Sequence, residues 1–174
     1  MTSTTFLAVN DFLIAHQALF WDDMRVADYG GTDTVRGGAV RKLLEEGDLK
    51  NYHQLDFETG VDLREPIKGE KFDLGICMDL LEHTSNPFVV AKNIIDSLNK
   101  DAYLFVTVPF VWHLHTYPDD FWRFTPHGLS ELFKEMETET VYSMLDTYEI
   151  PEDEKQIVPV SLPFSRVIGI FKKK

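Results

Sequence analysis

Apolar residues along the chain follow two rhythms, a helical one and short unbroken runs, and their order predicts the architecture. Residues 6–20 recur apolar at helical spacing (Phe6, Leu7, Val9, Phe12, Leu13, Leu19, Phe20) and predict an opening amphipathic helix. A short strand over 25–29 runs into Gly30 and Gly31, and a helix over 39–46 follows, stopped by Gly47. Residues 52–57 read as a second strand and 61–63 as the stub of a third. The run Phe72-Asp73-Leu74-Gly75-Ile76-Cys77-Met78 has the near-continuous apolarity of a strand buried on both faces. Asn86-Pro87 opens a helix through Leu98, with proline at a favoured first-turn position. Residues 102–108 predict another fully buried strand, and Thr125-Pro126 cap a helix to about Met136. Two closing strands are predicted over 138–148 and 166–171.

Strands alternating with helices point to an α/β fold, a mainly parallel sheet covered on both faces. The last two strands have no helix between them, which predicts antiparallel pairing at the sheet edge. Ligands of such sheets bind beyond the carboxyl ends of the strands, and the chemically loaded residues fall there. With 174 residues the chain fits one domain over 1–174, its first 22 residues carrying the helix that packs on it. Apolar runs fall short of the ~18 residues that span a bilayer, and the start lacks the pattern of a secretory signal. Cys77 stands alone, which excludes an internal disulfide. A cytoplasmic setting without membrane contact is the expectation.

Charge narrows the partners. The net charge is −12, and nine acids lie between 131 and 154 against Lys134 and Lys155 alone. A polyanion binder needs a basic stripe, and the basic residues cluster only at the terminal Lys172, Lys173 and Lys174. Nucleic acid is therefore not an expected partner. A small molecule or a sugar is easier to accommodate.

Three places carry candidate chemistry. Asp28-Tyr29-Gly30-Gly31 closes the first strand, where glycine lets backbone N–H groups approach a ligand; an ordinary tight turn reads equally well. Asp56 ends the second strand, where a carboxylate can accept both hydroxyls of a ribose or cap a turn. Asp62 could take an adenine amine or pair with Arg64 on the surface. Met78 to His83 follows the central strand: its apolar residues offer a floor for a flat ring, and Glu82 and His83 could be a hydrogen-bonded pair that fixes the loop. The richest stretch, 109–126, holds His113, His115, Asp119, Asp120, Arg123 and six aromatic side chains. His115 is the better base of the two histidines, since His113 can pack beside Trp112. Arg123 could grip an anionic acceptor or pair with Asp119 or Asp120. Trp122 and Phe124 read best as aromatics packing on the core. His-x-His followed by aspartate suits a divalent ion, but a third ligand is missing from the motif, so no metal is expected.

Taken in order, these pieces resemble the class I S-adenosylmethionine (SAM)-dependent methyltransferases, specifically the small methyltransferase type 11-like group. The resemblance rests on Val26-Ala27-Asp28-Tyr29-Gly30-Gly31, on Phe72-Asp73 and Leu80-Leu81-Glu82-His83, on Val106-Thr107-Val108-Pro109, and on the stretch from His115 to Thr125. It spans about 25–172 and implies a minimal Rossmann-like sheet with an antiparallel C-terminal edge strand. Carried over, it implies SAM as cofactor, its methionine part over Asp28, Gly30 and Gly31 and its ribose on Asp56. Asp62 and Leu63 would face the adenine with Met78 beneath it. His115, Asp120 and Arg123 would line the acceptor side as catalytic residues. One departure is plain: the Gly-x-Gly-x-Gly continuation is replaced by Thr32 and Thr34, with Gly37-Gly38 further on. That segment, glycine-bearing and polar, is expected to be mobile before a ligand arrives.

The resemblance implies methyl transfer to a small-molecule or sugar-like acceptor, on oxygen by preference. The alternative is a catalytically inactive domain of the same fold that serves as a binding or interaction module. A nicotinamide oxidoreductase fits poorly, because the G-x-G-x-x-G spacing is absent.

Overall fold

Unbroken apolar runs become the middle strands of a sheet because only there are both faces dry. The computed structural model describes residues 3–16, 23–31, 51–69, 71–115, 119–144 and 166–174. The helix expected over 39–46 and the segment 32–38 lie outside these residues, as do Tyr117 and Pro118. The order is α1 (Ser3–Ala15), β1 (Arg25–Tyr29), β2 (Asn51–Leu55), β3 (Phe72–Met78), a 3₁₀ turn (Leu81–His83), α2 (Pro87–Ser97), β4 (Leu98–Pro109), α3 (Pro126–Leu132), β5 (Glu137–Met144) and β6 (Arg166–Lys172).

The strands lie in the order β2-β1-β3-β4-β6-β5. β2, β1, β3 and β4 are mutually parallel, and β6 pairs antiparallel with both β4 and β5. The fold is thus a Rossmann-like, mainly parallel sheet with an antiparallel C-terminal edge. Within that edge β6 takes the inner place, buried from Arg166 to Phe171, and the exposed β5 lies outermost.

Alternation along each strand builds two cores. Val26, Leu74, Ile76, Phe105, Ile168 and Ile170 meet Ala8, Val9 and Phe12 of α1 on one face. Ala27, Tyr29, Leu104, Val106 and Phe171 meet α2 and α3 on the other. The caps are those the sequence predicts: Asn86 Oδ1 accepts from Val89 N at 3.3 Å and Thr125 Oγ1 from Gly128 N at 3.1 Å.

The structure corrects one element. Residues 61–63 form no strand but part of a turn, and the stub vanishes because Asp56 ties the chain down locally. α3 is also shorter than expected, giving way to a turn before Met136. No helix among the described residues is long and apolar enough to cross a membrane.

Candidate functional site at the carboxyl edge of the sheet

Register brings the candidate residues to one edge. Tyr29 aligns with Leu55 and Cys77, Met78 with Thr107, and Pro109 with Arg166, so the segments after β1, β2, β3 and β4 leave the sheet on the same side. Gly30 turns there with φ +74°, a left-handed conformation that disfavours side chains. A Cβ on Gly30 would come within 2.6 Å of the Leu80 side chain, and one on Gly31 within 2.2 Å of Asp28 Oδ2. Gly31 is thus closed down over the buried Asp28 carboxylate, which also accepts from the Tyr52 hydroxyl at 2.7 Å.

Asp56 is buried and serves its own turn. Its Oδ1 accepts from Thr59 N at 2.9 Å and its Oδ2 from Gln54 Nε2 at 2.7 Å. Asp62 forks with Arg64, whose guanidinium draws its carboxyl below the ordinary value. Leu63 and Met78 fall in separate apolar clusters on opposite faces of the sheet.

The loop after β4 docks on the turn after β3. Phe121 N donates to Glu82 O at 2.7 Å, Trp122 Nε1 to Thr84 O at 2.9 Å, and the His83 ring to Asp119 O. Within the loop, Arg123 forks onto Asp120, one arm reaching Oδ2 at 2.7 Å. The hydrogen bond from Arg123 holds the Asp120 carboxyl far below the usual range, with the His115 amide helping, although burial opposes them. His115 Nδ1 lies 3.0 Å from the same Asp120 Oδ2, so Arg123, Asp120 and His115 form one chain of contacts. Trp112 stacks on His113 at 4.8 Å. Of the two aromatics expected in the core, Phe124 is buried; Trp122 is 42% exposed because its indole N–H spans to Thr84 instead.

Sequence reading missed Asp79 and Arg166. Asp79 stands just past β3 with φ +50°, buried, taking contacts from Arg166 and, at 3.1 Å, from Thr107 Oγ1. Arg166 in turn lies over the Trp112 ring at 5.4 Å. The signal was available: an arginine opening a strand as apolar as β6 needs a buried carboxylate.

No protein-family model matches the chain, and no curated protein matches its sequence. Solved structures do match. The methyltransferase bound to the activator Trm112 of Haloferax volcanii shares 14% identity at TM-score 0.65, over 98% of this chain and 94% of that one. The 1,6-didemethyltoxoflavin-N1-methyltransferase of Burkholderia thailandensis, solved with bound 1,6-didemethyltoxoflavin and S-adenosylhomocysteine, gives 15% and 0.66 over 97% and 78%. The cyclase SpnF gives 15% and 0.60 over 95% and 80%. The chain therefore has the class I SAM-dependent methyltransferase fold. At these identities the likeness defines the fold and leaves the activity to be argued from the site.

Proposed function

We propose that this chain is a SAM-dependent methyltransferase acting on a small-molecule or sugar-like acceptor, in a cytoplasmic setting. One observation carries the reading: within this fold, the Gly30-Gly31 turn, Asp28 and Asp56 gather at the carboxyl edge of the sheet. The donor set suits the cofactor. Two buried carboxylates complement an ammonium group and ribose hydroxyls, and the turn amides complement a carboxylate. SAM supplies a methyl group already activated by its sulfonium.

The chain's task is then to align acceptor and methyl and to exclude water. His115 takes the proton from an acceptor hydroxyl at Nε2. Asp120 holds the His115 backbone and stands beside its ring as counter-charge, and Arg123 holds Asp120. The alternative reading, binding without turnover, is favoured by Thr32 and Thr34 in place of glycines.

Calorimetric titration with SAM, S-adenosylhomocysteine and NAD tests this. Binding of the first two and not the third is expected, and no binding of either sulfur compound refutes it. Asp56→Asn keeps the Thr59 acceptor but loses charge and sets its amide against Gln54 Nε2, so it should weaken SAM roughly tenfold, about 1.4 kcal/mol, with a small fall in melting temperature.

A further inference from the structure

We propose that Glu82, His83 and His115 bind a divalent transition-metal ion of the zinc class. One ligand atom from each lies within 4.8 Å of the others. Two come from the 3₁₀ turn after β3 and one from the loop after β4, so docking of the loop assembles the set. Glu82 is buried and its Oε1 lies 3.6 Å from His83 Nε2. The two imidazoles meet edge to face, centroids 4.8 Å apart. Of the His-x-His motif only His115 joins this set; His113 packs on Trp112.

The backing of the His83 ring is a separate observation. His83 Nδ1 contacts the Asp119 carbonyl, which can only accept, so Nδ1 carries the proton and Nε2 the lone pair. His115 Nδ1 lies 3.0 Å from Asp120 Oδ2 but out of hydrogen-bond geometry, so this ring keeps freedom to turn toward an ion. An oxygen acceptor behind a ligating imidazole, as Asp119 provides for His83, is how metal sites fix tautomer and ring orientation. Two imidazole nitrogens and one carboxylate oxygen favour zinc-class ions over magnesium or calcium, which prefer all-oxygen shells. Zinc bonds of about 2.0–2.2 Å put tetrahedral ligand atoms about 3.4 Å apart. The Glu82–His83 pair is already near that separation, and His115 has to close the remainder.

Three protein ligands leave an open position for water or an acceptor oxygen. With the ion bound, the His115 lone pair is taken and the ring no longer acts as base; a hydroxyl in the open position then loses its proton to solvent more readily. The metal site does not rest on methyl transfer, and the two are measured separately.

The test uses the full chain without an affinity tag, stripped by a chelator and then titrated with zinc and with magnesium. One zinc per chain at micromolar affinity or tighter is expected, with a rise in melting temperature; magnesium should do neither. Glu82→Gln and His83→Gln should each weaken zinc at least 100-fold, whereas His127→Gln on α3 should not. Cobalt(II) gives a direct reading of the ligands even where a variant loses stability. Its visible ligand-field bands should appear in the parent chain and vanish in His83→Gln. A parent chain that takes up no zinc overturns the proposal, and so does zinc affinity unchanged in both ligand variants. SAM titrated into the stripped protein reports on cofactor binding alone.

Discussion

A single pair decides how the acceptor loop is built. The Asp120 side chain is fully buried, and Arg123, about a quarter exposed, is its fork-shaped partner. Arg123→Ala leaves that carboxylate without its counter-charge. A fully buried pair would cost about 3–5 kcal/mol; discounted for the exposure of Arg123, about 2–3 kcal/mol is expected. That is a fall of about 5–10 °C in melting temperature. The folded carboxyl titrates below its unfolded value, so its contribution is full above about pH 4 and drains as pH falls further. The gap in melting temperature between parent and variant should therefore narrow from pH 6 to pH 3. A gap that stays constant would deny Asp120 its charge. Arg123 was legible as a candidate for this pair from spacing alone. Which aspartate it chose was not, since Asp119 and Asp120 are adjacent and only the docked loop turns one inward.

At the scale of elements, caps and faces do the positioning. Thr125 ends the acceptor loop and starts α3 with one side-chain hydrogen bond. Thr125→Ala should cost about 1 kcal/mol, and Thr125→Ser should recover most of it in a denaturant melt. α1 is held by packing: Phe12 is buried and its ring lies 5.1 Å from that of Phe105. Phe12→Ala opens a cavity on that face, and a loss of about 3–4 kcal/mol is expected from calorimetry. Helix starts were readable because Asn-Pro and Thr-Pro state their geometry locally. The turn after β2 was not, because Val61 and Leu63 have strand-like composition while Asp56 decides their path through Thr59.

Across the whole molecule, β6 ties the late chain to the early site. It lies between β4 and β5, and its first residue, Arg166, reaches Asp79 at the end of β3. Amide exchange should accordingly be slowest in β1, β3, β4 and β6, which are buried and paired on both sides, and fastest among strands in the exposed β5. Exchange in β6 as fast as in β5 would place it outside the core. The amino-acid sequence determined the alternation of strands and helices, the doubly buried middle strands and the caps, because periodicity and local hydrogen bonding act over a few residues. Tertiary structure alone decided that β6 lies inside β5, that Arg166 meets Asp79, and that Glu82 and His83 face His115. Those contacts join residues tens of positions apart, and only packing of the whole sheet sets which of them meet.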